Sequence, residues 1–267
     1  MTSNRFAEFR SLHHAAEPLL LPNAWDYTSA AALAAAGFAA IGTTSLGVAA
    51  VAGKPDGHGA TLEETLRLAG SVARLPCPVT VDLEGGFGGG PTDIAVLAER
   101  LAGMGVAGIN LEDGRPDGSL TDLTAQVEAI GAIKSRVPEL FVNARTDAFW
   151  LGVADPLNEA LSRSSAFAHA GADGVFVPGI ATGDDISALI AETPSPVNVL
   201  FLPGRHTVAD LASLGVRRIS LGSLLYRAAL HATVATAKAV AEGRPVSADL
   251  PGYADVVALI DEPADRS

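Results

Sequence analysis

Short apolar runs alternate with Ala- and Leu-rich stretches of helical period almost from one end of the chain to the other. The runs Leu19–Ala24, Ala39–Ser45, Val79–Glu84, Gly108–Asp113, Leu140–Asp147, Gly174–Gly179, Val197–Leu202 and Arg218–Gly222 read as strands. Between them Thr28–Ala36, Leu62–Arg74, Asp93–Met104, Thr121–Lys134, Pro156–Ala170 and Asp184–Glu192 read as helices, and the last strand leads into Leu224–Ala241. Strands that alternate with helices run parallel, because each helix carries the chain back to the start of the next strand. Eight such units close a barrel, so the expected fold is α/β, a (β/α)8 TIM barrel. A doubly wound open sheet is the alternative, but it gives no reason for eight regular units.

Four tripeptides support the repeat. Ala36-Gly-Phe38, Met104-Gly-Val106, Ala170-Gly-Ala172 and Leu214-Gly-Val216 each fall where a helix gives way to a strand. Glycine takes the left-handed conformation there without a Cβ clash, which stops the helix and turns the chain. No linker, low-complexity tract or break in composition divides the sequence. Residues 1–267 are therefore expected to form one barrel domain, with a C-terminal helical extension from about residue 224 that ends in a short helix, Tyr253–Leu259, and a polar tail.

Composition narrows the function classes. Hydrophobic residues make up 48% of the chain and charged residues 18%, the balance of a protein with a large core. A formal net charge of −12, with no Lys/Arg-rich run, argues against a general nucleic-acid binder. No apolar run of membrane-spanning length occurs, and the N-terminal stretch has no apolar core of a secretion signal, so no membrane partner is expected. The single cysteine, Cys77, leaves no intramolecular disulfide or Cys-cluster metal site and suits a cytoplasmic setting. It precedes the third strand, at the end opposite the expected chemistry, and reads as a small core residue.

In a barrel of this kind the chemistry sits at the carboxyl ends of the strands. The third predicted strand ends with Asp82 and Glu84, which strand alternation puts on one face. The fourth ends with Asn110 and Glu112 on one face and Asp113 on the other, and the fifth aligns Asn143, Arg145 and Asp147. Clustered carboxylates repel one another, and a hard cation with oxygen ligands resolves that repulsion. Mg²⁺ fits best, with Mn²⁺ as a substitute. Arg145 would then clamp a substrate carboxylate through a two-pronged hydrogen bond. The plainer alternative is an internal ion pair from Arg145 to Glu112 or Asp82.

Other motifs carry less. The Gly85-Gly-Phe-Gly-Gly-Gly90 loop lacks the Lys-Ser/Thr of a phosphate-binding loop and reads as a flexible turn. Lys54, Lys134 and Lys238 all lie outside the predicted strands, which disfavours a Schiff-base aldolase. The six histidines show no paired spacing for zinc, and His58 and His206 read as solvated loop residues.

From about Leu21 to Arg227 the chain resembles the isocitrate lyase/phosphoenolpyruvate mutase superfamily. The resemblance rests on Asn23-Ala-Trp-Asp26, Gly42-Thr-Thr-Ser-Leu-Gly47, Lys54-Pro-Asp56, Val81-Asp-Leu-Glu-Gly-Gly-Phe-Gly88, Gly108-Ile-Asn-Leu-Glu-Asp113, Asn143-Ala-Arg-Thr-Asp147 and Val197-Asn-Val-Leu200, in this order. It implies a barrel whose last helix is exchanged between subunits of a homo-oligomer, a dimer or more usually a tetramer. It also implies Mg²⁺ and the enolate of a pyruvate-like 2-oxo acid. Asp82 then corresponds to the direct metal ligand, with Asp56, Glu84 and Glu112 acting mostly through waters. Thr44, Ser45 and Leu46 correspond to the cradle for the substrate carboxylate, Arg145 to its charged partner, and Trp25 and Asn198 to further substrate contacts. The catalytic set implied is Arg145, Asp56 and Glu112.

Two departures bear on the reaction. Lyase members carry a cysteine acid in the loop after the fourth strand, where this chain reads Gly114-Arg-Pro-Asp-Gly-Ser-Leu120. Phosphonomutases carry a Lys-x-Asn-Ser-Leu gating loop and a histidine after the sixth strand, where this chain has only Ser119-Leu120 and Pro178. C–C cleavage or decarboxylation of a 2-oxo dicarboxylate such as oxaloacetate demands least beyond the shared core and ranks first. Phosphonopyruvate or phosphoenolpyruvate mutase or hydrolase chemistry is second, and a non-catalytic 2-oxo acid binder third.

Overall fold

The computed structural model describes residues 5–260. In chain order the elements are α1 (Arg5–Leu12), β1 (Leu19–Leu21), β2 (Asn23–Ala24), α2 (Tyr27–Ala35), β3 (Ile41–Thr43), α3 (Ser45–Ala52), α4 (Leu62–Val72), β4 (Val79–Asp82), α5 (Pro91–Gly103) and β5 (Gly108–Glu112). They continue with α6 (Leu123–Arg136), β6 (Phe141–Arg145), α7 (Ala148–Leu151), α8 (Pro156–His169), β7 (Gly174–Val177), α9 (Gly183–Glu192), β8 (Val197–Leu200), α10 (Val208–Ser213), β9 (Arg218–Ser220), α11 (Leu224–Ala241) and α12 (Tyr253–Ile260). All pairings are parallel, in the order β1-β9-β8-β7-β6-β5-β4-β3-β2, and the strands wrap into a nearly closed α/β barrel.

The expected α/β barrel is present, and its ninth strand comes from the division of one expected strand in two. Pro22 splits the predicted Leu19–Ala24 strand into β1, which pairs with β9, and β2, which pairs with β3. A proline has no N–H to give the ladder, so the break falls there. The Leu21 carbonyl accepts from Leu221 N at 3.1 Å, and the Pro22 carbonyl accepts from Gly42 N at 2.9 Å. The Asn23 side chain covers the seam. Its Oδ1 accepts from Leu221 N (3.1 Å) and Gly222 N (2.8 Å), and its Nδ2 donates to the Thr43 carbonyl (2.9 Å).

Strand residues pointing outward make the main core. Val81, Ile109, Leu111, Val142 and Ala144 are fully buried among Leu101, Ile130, Ile133 and Phe167 of the surrounding helices. The four predicted glycine turns have positive φ, from 87° at Gly37 to 102° at Gly171, as the left-handed helix stop requires. Helix α1, absent from the expected elements, plugs the barrel's other end. Phe9 meets Phe141 edge-on at 5.3 Å, and a Cβ on Gly108 would come within 2.6 Å of the Phe9 ring. The predicted Ala39–Ser45 strand is shorter, because the chain turns into α3 at Ser45. The polar tail beyond Ile260 and residues before Arg5 lie outside the described residues. No helix among the described residues is both long and apolar enough to cross a membrane.

Candidate active site

A cavity of about 730 Å³ opens at the carboxyl ends of the strands, a size that suits a small-molecule ligand. Thr44, Ser45, Leu46, Asp56, Asp82, Glu112 and Arg145 all line it. Asp82 closes β4. Its backbone N–H donates to Thr43 Oγ1 (2.9 Å), and its Oδ2 faces the Ser45 amide at 3.4 Å. Its Oδ1 is buried without a hydrogen-bond partner among the described residues. Burial pushes this carboxyl above the usual carboxylate range; Arg145 works against the rise and Asp56 adds to it.

Arg145 stands opposite Glu112 in the β5–β6 register. Its Nη1 lies 2.8 Å from Glu112 Oε2, while Nε and Nη2 bond Asp147 Oδ1 and Oδ2 at 2.7 and 3.1 Å. Burial opposes the positive charge, but Glu112 and Asp147 outweigh it and hold Arg145 firmly protonated. The Glu112 carboxyl is pushed up to about 8, by burial first, with Arg145 offsetting part of the rise. The ring of Phe176 lies beneath the guanidinium, 5.7 Å away.

The third contribution is α3, which sequence periodicity did not separate from the strand before it. Helix-initial amides have no intrahelical acceptor, so those of Leu46 and Gly47 are available to an anion. A Cβ at Gly47 would fall 2.6 Å from Trp25 Cβ and 2.9 Å from Thr44 Cγ2, so glycine lets the helix start press onto Trp25. Trp25 itself lies behind α3, edge-on to Tyr226 at 5.3 Å.

Three predicted site residues, Glu84, Trp25 and Asn198, are not among those lining the cavity. Alternation put Glu84 on the Asp82 face, but β4 ends at Asp82 and Glu84 has φ 49°, so alternation no longer applies. Its carboxylate instead accepts from Gly59 N (2.8 Å) and Thr61 Oγ1 (2.7 Å), tying down the segment that carries Asp56. Asn198 lies inside the barrel, donating to Ser220 Oγ at 3.1 Å. His58 does line the cavity, and His206 is buried rather than solvated. Gly86 and Gly89 close successive hydrogen-bonded turns in the glycine loop.

Arg218 escaped the sequence reading. It is fully buried inside the barrel, donating from Nε to Ser220 Oγ (3.1 Å) and from Nη2 to Asn110 Oδ1 (3.2 Å), with no carboxylate in ion-pair contact among the described residues. Burial pulls it down to about 9, offset in part by Asp82. The signal was present: an arginine on the inward positions of β9, opposite inward asparagines on β5, β6 and β8.

The residues fit a divalent ion of the Mg²⁺ type. Among the described residues no three His, Cys, Asp or Glu side chains converge to enclose a metal. Asp82 Oδ1 and Asp56 Oδ1, however, are buried oxygens without hydrogen-bond partners among the described residues, and both residues line the cavity. One or two carboxylates, with waters and substrate oxygens completing the shell, is the way Mg²⁺ is held.

Fold and site together define an α/β-barrel protein with an acidic, arginine-braced mouth. The chain belongs to the phosphoenolpyruvate phosphomutase family, whose model it matches over residues 9–241. An uncharacterized protein of Mycobacterium tuberculosis (strain ATCC 25618 / H37Rv) is 44% identical over 94% of this chain and 95% of its own length. The 2-methylisocitrate lyase of Bacillus subtilis (strain 168) is 31% identical over 71% of this chain and 64% of its own length. The solved phosphoenolpyruvate phosphomutase of Streptomyces platensis subsp. rosaceus superposes with a TM-score of 0.84 at 26% identity, covering 95% of this chain and 94% of that one.

Proposed function

We propose that the chain is a Mg²⁺-dependent carbon–carbon lyase that takes a small 2-oxo (di)carboxylate, such as oxaloacetate, through a pyruvate-type enolate by C–C cleavage or decarboxylation. The observation that carries this reading is the buried, unpartnered Asp82 oxygen facing the same cavity as the Glu112–Arg145 pair. Asp82, with Glu112 and Asp56, would hold the ion, Glu84 acting from behind by fixing the Asp56 segment. Mg²⁺ or Mn²⁺, when bound, offsets the negative charge that gathers on the 2-oxo and carboxylate oxygens as the neighbouring bond breaks.

The chain's own groups do the rest. The amides at the start of α3, with the Thr44 and Ser45 hydroxyls, receive the substrate carboxylate, and Arg145 supplies its counter-charge. Asp147 and Glu112 grip the guanidinium from two sides, so its orientation is set before substrate arrives. Asp56 and Glu112 are the acid–base candidates. Trp25 holds the helix start in place, and Asn198 anchors Ser220, which lines the cavity.

For assembly, the same reading is a cytoplasmic homo-oligomer in which α11 exchanges between subunits. Of its 18 residues only Ala239 is buried, leaving Leu230 and Val234 about half exposed.

A second reading, phosphorus–carbon chemistry on phosphonopyruvate, is favoured by membership of the phosphoenolpyruvate phosphomutase family. The experiment is a Mg²⁺-dependent pyruvate-release assay with oxaloacetate, 2-methylisocitrate and phosphonopyruvate. Release from a C–C substrate supports the lyase, and release from phosphonopyruvate alone supports the second reading. Conversion of phosphonopyruvate to phosphoenolpyruvate without pyruvate would support the mutase form of the second reading, and ligand stabilisation with neither product would leave a 2-oxo acid binder.

A further inference from the structure

The cavity is larger than its chemistry requires. A four-carbon 2-oxo acid fills only a small part of about 730 Å³, a volume in the range that holds much larger ligands. What lines the remainder is specific. Phe176, Pro178, Leu200 and Leu202 give the cavity apolar lining, with the Phe176 ring 5.7 Å from the Arg145 guanidinium. Three exposed arginines reach the same cavity from three separate loops or helix starts: Arg115 after β5, Arg205 after β8 and Arg227 in the first turn of α11. None is in ion-pair contact with a carboxylate among the described residues, in a chain whose acidic residues outnumber its basic ones by 30 to 18.

Charge balance points the same way. Four carboxylates line the cavity (Asp56, Asp82, Glu112 and Asp147), and four arginines line it with them (Arg115, Arg145, Arg205 and Arg227). With the four carboxylates ionised around a bound cation, their charges cancel those of the arginines, and the divalent ion leaves a surplus of two positive charges for the ligand to match. A monoanion leaves half of that surplus uncompensated.

We propose that the substrate is an elongated dianion: a 2-oxo acid head at the Asp82–Arg145 end, an apolar middle against the Phe176–Leu202 lining, and a second anionic group held at the mouth by Arg115, Arg205 and Arg227. This rests on the 2-oxo acid reading of the head site. The mouth arginines set chain length and charge rather than touching the reacting bond. Guanidinium forks suit a terminal carboxylate, and the apolar lining offers nothing to a polar middle.

The test is calorimetry with Mg²⁺ present, using pyruvate, oxaloacetate, 2-oxoglutarate, 2-oxoadipate, the monocarboxylate 2-oxohexanoate and phosphonopyruvate. Affinity is expected to rise along the dicarboxylates, with 2-oxoadipate binding roughly tenfold or more tightly than 2-oxohexanoate, the worth of one charge-assisted contact. In the R205A/R227A double variant that ratio should collapse to a fewfold at most. Equal affinity for the two six-carbon acids would overturn the second anion, as would tightest binding of phosphonopyruvate, whose anion lies next to the head. An unchanged ratio in the double variant would overturn the arginine assignment. If pyruvate and oxaloacetate also fail to bind, the head reading falls and takes this one with it. If they bind without any gain from length, only the elongated dianion is lost.

Discussion

Arg145 and Glu112 are register partners on β6 and β5, and their side chains meet at 2.8 Å where the barrel opens into the cavity. Asp147 grips the same guanidinium by two further bonds. A single arginine thus joins two neighbouring strands and presents a buried positive charge to the cavity.

Replacing Arg145 by lysine keeps the charge but removes the fork. Lysine cannot hold Asp147 by two bonds, hold Glu112 and face a ligand at once. Arg145→Lys is expected to weaken 2-oxo acid binding by roughly tenfold or more, about 1.4 kcal/mol, with a small change in melting temperature. Calorimetry and thermal melts separate the outcomes. Unchanged affinity with a collapsed melting temperature would make Arg145 a purely structural brace.

Asp82 and Glu84 are separated by a single residue yet face different surroundings. Asp82→Ala is expected to abolish Mg²⁺ binding, because it removes the unpartnered oxygen at the cavity. Glu84→Gln keeps an acceptor for Gly59 or Thr61 but loses the charge, a cost on the order of 1–2 kcal/mol in stability, with Mg²⁺ affinity falling only a fewfold. Equal losses of Mg²⁺ affinity in the two variants would make Glu84 a ligand in its own right.

His13 makes the fold sensitive to acid. It is stacked on Phe141 at 4.0 Å, with Nδ1 bonded to the Phe9 carbonyl, and burial, then Arg218, lowers it to about 3 from an ordinary 6.5. His14 and Arg10 add smaller pushes in the same direction. A base whose folded-state pKa is depressed contributes stability above its unfolded pKa and loses it as pH falls toward the folded one. Stability should therefore drop between pH 6.5 and 3 by up to a few kcal/mol from this group, and His13→Phe should flatten that part of the profile. Denaturant titrations across the range check it; an unaltered acid limb in the variant would remove His13 as the cause.

Gly47→Ala tests the seat of α3. The added methyl group meets Trp25 Cβ at 2.6 Å, in a place where neither partner has a flexible end to move. Overpacking of this kind costs about 1–3 kcal/mol. The displaced amides should also weaken carboxylate binding. A variant as stable as the parent and with the same ligand affinity would show that the helix start is not held by Trp25.

Much of this protein was settled by local pattern. The alternation of apolar runs and helical stretches determined a parallel α/β barrel, since a strand followed by a crossover helix has few ways to pack. Glycine at 37, 105, 171 and 215 marked the turns, because the left-handed helix stop excludes most other residues. Asp82, Glu112 and Arg145 were legible as a group because inward positions recur with period two while the strand lasts. Tertiary structure decided what lies past the strand ends or depends on distant partners. Pro22 divides the first strand only because its two halves face different neighbours, β9 and β3. Glu84 turns toward Gly59 and Thr61, some 25 residues away in sequence, once its own φ becomes positive. Phe9 plugs the barrel, and Arg218 is buried with Asn110, which lies 108 residues away, because closure brings the strands' inner faces together. A pattern read along one strand carries the direction of a side chain; what it meets there is set by the strands folded around it.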